Sequence, residues 1–557
     1  MDFRRSVLWV IFTVSVIFLY NSWLRYNGGS GLFGEPPAVT ATASAPAGRA
    51  GDVPVPVAQN ATALPGAEAP GIVPSAPATA PSATLTSIRT DVLDMKVSNE
   101  GGNLVYARLL KYASHSDAKD DVVLFDSSAS NTYLAQSGLV GGDFPNHKTP
   151  MVLLPGPTSM GSADTLTVRL QSPVVGGVQL TRSYTFKRGS YVIAVRNEIS
   201  NRGQTPVAPQ LYMQLVRDGH DPSTGTHFYH TFTGPAVYDS KDKFQKFEFK
   251  DIHDQVKTIK SSDGWLAMVQ HYFVSAWLPQ PDTGNREFYL RKLQPNLYAV
   301  GVMLQLPQLA PGAHTVQTDT LYVGPEIESQ LQGLAPGFEL VKDYGWVTII
   351  AKPLFWVLEQ VHKVLGNWGW SIIGLTILLK LLFFPLTAAS YRSMARMKAV
   401  APRLTALRER HKDDQAAMNA AMVEMYRKEK INPLGGCLPI VIQIPVFIAL
   451  YWVLLSSVEL RGAPWLGWIH DLSAKDPYYI LPLIMTGTSF LQVKLNPTPP
   501  DPMQARLMWI MPLAFSVMFF LFPAGLVLYW LTNNIFSIAQ QWFINKKMGV
   551  PEFSEPK

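Results

Sequence analysis

The chain of 557 residues is long enough for several domains. Hydrophobic residues make up 47% of it and charged residues only 16%, and the formal net charge is +6. This balance indicates an integral membrane protein and argues against a nucleic-acid binder, so we use the positions of Lys and Arg as a topology signal. The single cysteine, Cys437, excludes an intrachain disulfide. A lone Cys in an apolar stretch is most simply a small buried side chain.

The N-terminal region contains an apolar segment, residues 7–24, preceded by Arg4 and Arg5. Its apolar run is longer than that of a typical signal peptide, and the nearest Ala-x-Ala-like stretch, Ala41–Ala47, lies too far downstream for cleavage. We therefore predict an uncleaved transmembrane anchor over residues 1–27, with its N-terminus in the cytoplasm. A cleaved signal peptide is the alternative.

Residues 28–88 are dominated by Ala, Pro, Gly, Ser and Thr. A segment with so few large apolar residues cannot bury enough surface to offset its ordering entropy, so it is predicted to be a disordered tether. Residues 89–337 then show short stretches in which apolar and polar residues alternate. Two such stretches, 178–187 and 191–199, flank a turn and predict a hairpin with one buried face.

Further strands are predicted at 103–110, 163–171, 207–217, 286–294, 297–306 and 314–323. Many short strands separated by Gly and Pro predict a large antiparallel β-sandwich. Because this domain follows an anchor whose N-terminus is cytoplasmic, we expect it to be extracytoplasmic. The sequence leaves open whether the sandwich binds a sugar or a peptide.

A cluster of histidines, His220, His227 and His230, falls in a loop-like stretch of this domain. A metal site with Asp218 or Asp221 as a further ligand is one interpretation. The spacing matches no standard zinc site, so polar loop histidines are the favoured interpretation and we predict no metal.

Apolar residues recur at spacings of three and four through 338–366. This pattern predicts an amphipathic helix, and because the helix precedes a membrane span we expect it to lie flat on the outer membrane surface. The alternative is a last helix packed on the sandwich. Pro353 lies within the series and is expected to kink or restart the helix.

The apolar segment 367–387 is long enough to span a bilayer and contains one charge, Lys380. A Lys near mid-span costs about 2.5–3.5 kcal/mol on insertion scales, so it marks a functional candidate. Thr376 lies one helical turn earlier on the same face. The alternative is that Lys380 snorkels to the nearer headgroups with its stem along lipid.

Residues 388–433 are the most charged part of the chain, with a clear excess of Lys and Arg. That excess places the segment in the cytoplasm. The apolar period predicts two amphipathic helices separated by a break at His411–Asp414, where Asp413 or Asp414 can cap the second helix. The methionines on these helices suit varied apolar partners and predict a contact surface; they are Met394, Met397, Met418, Met422 and Met425. A coiled-coil pair packed only on itself is the alternative.

Four more apolar segments follow at 435–458, 478–496, 507–523 and 524–544. With the anchor and 367–387 they predict six transmembrane helices, the last four forming the region 434–545. A tight connection is expected at Pro523–Ala524–Gly525. Six crossings return the tail, 546–557, to the cytoplasm.

Polar residues recur inside these apolar segments, and no Asp or Glu lies in the interior of any of them to pair with Lys380. Unpaired polar groups in hydrocarbon are costly, so they should face one another or water. We predict a wet cavity around Lys380 whose further members are Gln443, Ser489, Gln492, Tyr529, Asn533 and Gln540. Simple hydrogen bonding between helices is the alternative explanation for the amides.

Four stretches resemble the YidC family of membrane protein insertases: GNWGWSIIGLTILLK (366–380), INPLGGCLPIVIQIPVFIALYW (431–452), DPYYILPLIM (476–485) and FPAGLVLYWLTNN (522–534). The resemblance implies a multi-domain bacterial inner-membrane protein. Its α-helical core would have a hydrophilic groove open to cytoplasm and lipid, and its periplasmic domain would be a β-supersandwich. Lys380 stands where the family usually has Arg, which keeps the positive charge but loses the bidentate fork. Trp530 stands where members often have a second Tyr, so only Tyr529 is carried over.

The resemblance also implies work alone or beside the Sec translocon, with nascent membrane proteins as substrates. Further implied partners are the ribosome, the signal recognition particle receptor and membrane lipids. No nucleotide-binding motif occurs, so we expect no cofactor and no catalytic residues. We expect the β domain to be separable, because a tether and a single helix attach it.

Two other functions stay open from the sequence. A secondary transporter of a small anionic solute would need internal repeats or paired broken helices, and no repeat is seen. An intramembrane Ser/Lys hydrolase would need a serine near Lys380, but Thr376 is the close hydroxyl and no GxSxG-type elbow occurs.

Overall fold

The structure is a computed structural model. It describes Pro54 and residues 84–114, 120–128, 131–220, 231–252, 256–281, 284–411, 414–428, 438–496 and 502–549. The predicted anchor, nearly all of the tether, Cys437 and most of the C-terminal tail lie outside these residues. The chain divides into two units, Met1–Gly51 and Asp52–Lys557, and all of the described residues belong to the second.

The N-terminal half of the described chain is built of strands in two antiparallel sheets. The strands are β1 (Leu85–Arg89), β2 (Leu93–Ser98), β3 (Leu104–Ala113), β4 (Asp121–Ser127), β5 (Thr132–Val140), β6 (Val152–Leu153), β7 (Thr165–Gln171), β8 (Val178–Lys187), β9 (Val192–Asn201), β10 (Gln210–Asp218), β11 (Gly234–Asp239), β12 (Lys243–Lys246), β13 (Lys257–Ser261), β14 (Trp265–Gln270), β15 (Phe273–Leu278), β16 (Arg286–Gln294), β17 (Leu297–Gln305) and β18 (His314–Pro325). One sheet has the order β1-β2-β3-β4-β5-β10-β17-β16-β13, and the other β12-β11-β14-β15-β18-β9-β8-β7-β6. The predicted antiparallel β architecture is confirmed.

The predicted hairpin is also confirmed. Strand β8 pairs with β9 in antiparallel register from Val178 opposite Asn201 to Phe186 opposite Ile193. Alternate residues such as Leu180 are buried between the sheets, as the period of two requires.

Both predicted ends of the β domain are misplaced. The first strand begins at Leu85, so residues 85–88 belong to the sheet and not to the tether. At the other end, a 3-10 turn, Phe338–Val341, places Phe338 and Val341 in the core of the sandwich. The helix predicted from 338 therefore begins only at Thr348.

The C-terminal half is helical. Its helices, preceded by the short α1 (Glu328–Leu331), are α2 (Thr348–Leu365), α3 (Trp368–Leu382), α4 (Phe384–Arg410), α5 (Gln415–Lys428), α6 (Leu438–Ser456), α7 (Ile480–Leu495), α8 (Pro502–Phe519) and α9 (Ala524–Lys547). The short 520–523 connection between α8 and α9 agrees with the tight connection predicted there.

Helix α2 buries Ala351, Phe355 and Leu358 in a second core that it shares with α6. It therefore packs on the helical half of the protein rather than on the sandwich. The helix runs through Pro353 without restarting, contrary to that part of the prediction. It ends at Gly366, which adopts the left-handed conformation with φ +67° that glycine tolerates at a helix C-terminus.

The predicted span 367–387 is not one helix. Helix α3 ends at Leu382, and α4 starts at Phe384 with Pro385 in its first turn. Proline has no N–H to continue the preceding helix but is tolerated in a first helical turn, which explains a break at this point. The pair Trp368–Leu382 and Phe384–Met397 is bent by 67°.

Judged by length and hydropathy, no single helix in the part of the chain that the structure describes is able to cross a bilayer, whereas this bent pair together meets the requirement. The six transmembrane helices remain a prediction.

Helices α4 and α5 form the predicted hairpin, with α5 beginning after a break at His411. Asp414 caps α5, because its Oδ1 accepts hydrogen bonds from the backbone N–H groups of Ala416 and Ala417; Asp413 lies outside the described residues. Helix α4 also contacts α6 and α9, so the hairpin is not packed only on itself. The five predicted methionines are all half-buried.

Candidate functional site

Most of the polar residues predicted to surround Lys380 lie in two cavities between α3, α4, α6, α7 and α9. Lys380 projects from the last turn of α3, and its Nζ donates a hydrogen bond to Ser537 Oγ of α9 at 2.7 Å. Ser537 Oγ in turn donates to the backbone carbonyl of Asn533, one turn earlier, at 2.7 Å. The ammonium is therefore held by a neutral hydroxyl.

Helix α6 contributes Gln443 to the same site. Its Nε2 donates to Asn533 Oδ1 of α9 at 2.8 Å. One turn further along α6, Phe447 stacks on Tyr529 with ring centroids 6.2 Å apart and meets Trp530 edge-on at 4.4 Å. These aromatic contacts fix the rotation of α6 against α9 and so place the amide of Gln443 beside that of Asn533.

The side chain of Lys380 borders a small cavity of about 20 Å³. That volume holds about one ordered water molecule. Its polar lining groups come from four helices: Thr376 and Lys380 of α3, Thr387 of α4, Gln443 of α6, and Tyr529 and Asn533 of α9.

A second, larger cavity of about 450 Å³ shares Thr387, Gln443 and Asn533 with the first. Ser489 and Gln492 of α7 line it. Its apolar lining comes mainly from α8 and from aromatic and methionine side chains, namely Met394, Met485, Met508, Pro512, Phe519 and Trp530. The larger cavity is thus lined by both polar and apolar groups.

Two predicted residues differ from the expected role. Thr376 is buried and donates to the carbonyl of Ile372 in its own helix at 2.7 Å, so its hydroxyl proton is not directed at Lys380. Gln540 lines neither cavity; its Nε2 donates to Thr387 Oγ1 at 2.8 Å and so ties α9 to α4.

Several cavity residues were missed from the sequence. Asn534 donates from Nδ2 to Thr488 Oγ1 at 3.1 Å and Ser489 Oγ at 3.3 Å, which joins α9 to α7. Thr387, Ser390 and Tyr391 line the larger cavity from α4. Thr387 was assigned to the end of a predicted span, and Ser390 and Tyr391 were assigned to the predicted cytoplasmic hairpin. The sequence did not reveal that one helix, α4, continues across the boundary between these two segments.

The electrostatic character of the site follows from its lining. Among the described residues that line the two cavities, Lys380 is the only formally charged group and no carboxylate is present. A cation among neutral hydroxyls and amides favours a negatively charged or strongly polar occupant.

The histidine stretch offers no support for a metal site within the described residues, where no group of three possible ligands is found. Asp218 instead accepts the backbone N–H of His220 at 2.9 Å. His227, His230 and Asp221 lie outside the described residues.

Comparison with known proteins covers nearly the whole chain. The family described as YidC periplasmic domain matches residues 85–357, and the family described as 60Kd inner membrane protein matches residues 360–551. The chain is also similar to a membrane protein insertase YidC from Ralstonia nicotianae, 53% identical over 553 residues, which cover 99% of this chain and 98% of the relative. The chain belongs to the YidC family. The protein of the same name from Cupriavidus metallidurans is 54% identical over 561 residues, with the same coverage.

Among solved structures, an active YidC insertase crystal structure with the first transmembrane domain resolved covers 82% of this chain and 91% of that chain, at 18% identity and a TM-score of 0.38. The family assignment rests on the whole-chain sequence relatives. As a family member the chain is an inner-membrane protein with a β-rich periplasmic region and a helical C-terminal region.

Proposed function

We propose that the protein inserts hydrophobic segments of nascent inner-membrane proteins, and that the receiving groove consists of the cavity beside Lys380 and the larger cavity that shares Thr387, Gln443 and Asn533 with it. The observation that carries the proposal is the mixed lining of the larger cavity. Its polar groups, among them Gln492, Asn533 and Asn534, can hydrogen-bond a hydrophilic segment, while its apolar groups can contact the neighbouring hydrophobic helix of the substrate. Polar groups inside a membrane segment are otherwise costly.

Each part of the groove has a physical task in this scheme. Hydrogen-bonding groups within the bilayer shorten the apolar distance that a hydrophilic tail must cross. Lys380 attracts an acidic tail, while the exposed apolar faces of α7 and α8 pass the entering helix to lipid. No external energy source is required, because the substrate gains free energy when its own apolar helix enters hydrocarbon.

The proposed topology has both termini in the cytoplasm, six membrane spans, the β domain in the periplasm, and α2 on the outer surface of the membrane. In support, α2 exposes Trp356 and Ile349 on the face away from its core, and the preceding turn exposes Trp346. Large aromatic residues favour the membrane–water boundary. The cytoplasmic hairpin with its half-buried methionines is proposed to contact nascent chains first. The Sec translocon, the ribosome and the signal recognition particle receptor are proposed partners.

Proteoliposomes that contain only this protein test the function. A single-span substrate should acquire protease protection, whereas lipid-only vesicles should leave it accessible. Flux of a small anionic solute without substrate protection would instead support a transporter, and cleavage of the substrate would support a hydrolase.

A further inference from the structure

The outer end of α6 is held by the β domain and by the segment that leads into α2. His271 Nε2, in the turn between β14 and β15, lies 3.0 Å from the carbonyl oxygen of Leu455. Ser456 Oγ donates to the carbonyl of Asp343 at 2.8 Å. Leu455 belongs to the last turn of α6, where carbonyl groups have no partner within the helix, so His271 supplies one from another domain.

The residues just after α6 continue this contact. The Arg461 guanidinium donates to the carbonyl of Ala113 at the end of β3, and it lies over the rings of Tyr272 and Phe273 at 5.3 and 5.2 Å. The seven residues 455–461 therefore touch two separate strand ends of the sandwich. The β domain is attached by more than the tether and helix inferred from the sequence.

Lys342 is the most deeply buried charge in this junction. Its side chain has 0% exposure, and its Nζ lies 3.2 Å from Glu459 Oε2, whose side chain is 11% exposed. The same ammonium lies 3.6 Å from the ring centroid of Phe355 on α2. Lys342 thus joins the segment after the sandwich, helix α2 and the loop after α6 at one point.

A buried ion pair is more sensitive to loss of one partner than the hydrogen bonds around it. Removing one member leaves an uncompensated charge in a medium that solvates it poorly, whereas losing the bond from His271 leaves one carbonyl unsatisfied. Glu326, also buried here, cannot replace Lys342 as the partner of Glu459, because it is itself an acid. Burial raises the pKa of Glu326, and Lys342 and Lys246 oppose that rise.

We propose that Lys342 is a positioning residue for the groove: by neutralising the buried carboxylate of Glu459 it keeps the outer end of α6 packed in this junction, and through the continuous helix, which includes Pro445, it sets Gln443 against Asn533. Gln443 lies 13 residues before Ser456, about 20 Å at the helical rise. The consequence for insertion rests on the proposed function of the groove, but the consequence for the position of α6 does not.

The substitution Lys342→Met keeps most of the length of the side chain and leaves Glu459 buried without its ionic partner. It should slow insertion by roughly fivefold or more, while the double variant Lys342→Met/Glu459→Gln should return to within about twofold of the parent, because the side chain at position 459 is then neutral and needs no ionic partner. Arg196→Ala, which breaks an exposed ion pair with Glu198 in the same domain, is the matched control and should leave insertion unchanged.

The position of α6 is measured directly by spin labels at Ile444 on α6 and Ile535 on α9, both exposed, after Cys437→Ser. The distance distribution should broaden in Lys342→Met and narrow again in the double variant. An unchanged distribution in Lys342→Met, or a double variant as broad as the single one, overturns the proposal. If the distance distribution between Ile444 and Ile535 changes in Lys342→Met but the rate of insertion does not, the positioning role of Lys342 is supported and the function proposed for the groove is contradicted. If Lys342→Met does not accumulate, a narrow distribution in the double variant supports the proposal and a broad one overturns it.

Discussion

The charge of Lys380 should matter most for substrates whose translocated tail is acidic. In the present geometry Lys380 has only the Ser537 hydroxyl as a described hydrogen-bond acceptor, so replacing it by alanine removes the positive charge without breaking an ion pair. Lys380→Ala should slow insertion of a substrate with an acidic tail and have little effect when that tail is neutral. Lys380→Arg should keep activity, and Lys380→Glu should be worst.

The size of the effect follows from the two cavities. The cavity beside Lys380, about 20 Å³, has no room for a carboxylate, so an acidic group must stay in the cavity of about 450 Å³. At a separation of about 8 Å and an effective dielectric constant near 20, the attraction is about 2 kcal/mol, or roughly thirtyfold in rate. Water in the groove lowers this value, so a loss of about three- to tenfold is expected.

The assay is insertion into proteoliposomes of one substrate that carries either an acidic or a neutral tail. Lys547→Ala is the matched control, since it removes the same charge from the exposed last turn of α9. If Lys380→Ala slows both substrates equally, electrostatic attraction is the wrong mechanism, and the lysine serves instead to keep the groove open or hydrated.

Three further predictions concern the other parts of the molecule. Burial raises the pKa of Asp319 to about 6. The stability that the protonated carboxyl group contributes is therefore fully present below the pKa that Asp319 has in the unfolded chain, and it is lost as the pH rises through 6. Asp319→Asn should remove about 2 kcal/mol of pH dependence between pH 4.5 and 7, measured by thermal unfolding of the detergent-solubilised chain at these two pH values; an equal change in stability for the parent and the variant would contradict it. Photo-crosslinkers at Met418 should capture nascent chains before those at Met394, which lines the larger cavity; labelling only of the protein's own helices would count against a contact surface. Deleting residues 90–330 with the anchor kept should leave most insertion of simple substrates intact, because Lys342 and Glu459 remain; complete loss in a stably expressed deletion would refute this.

The sheets were predictable because their signal is local. Alternation with a period of two, interrupted by Gly and Pro, identifies strands such as β8 and β9 without knowledge of their partners. The boundaries were less accurate: Leu85 and Phe338 were assigned outside the domain, because neither the start of a sheet after a tether nor a 3-10 turn leaves a periodic signal.

The break at Phe383 was missed for a different reason. Hydropathy is continuous across residues 367–387, so the average over the segment hides a bend. Pro385 was the available signal, since proline favours the first turn of a new helix over the interior of an old one.

The residues that line the two cavities could be predicted in large part, but the hydrogen bonds between them could not. Polar residues are rare in apolar segments, so Gln443 and Asn533 were identified by composition alone. Which hydroxyl meets Lys380 depends on the rotation and depth of α9 against α3, which aromatic and aliphatic packing determines. The partner, Ser537, therefore required the structure.

The central claim is that the polar tail of a substrate passes through the cavities around Lys380. A photo-crosslinker at Gln443 or Asn533 should label the tail of an insertion intermediate arrested in proteoliposomes, and one at Val517, on the exposed face of α8, should not. Labelling of the tail from Val517 with none from Gln443 or Asn533 would contradict the account, because the tail would then cross along the lipid-facing surface.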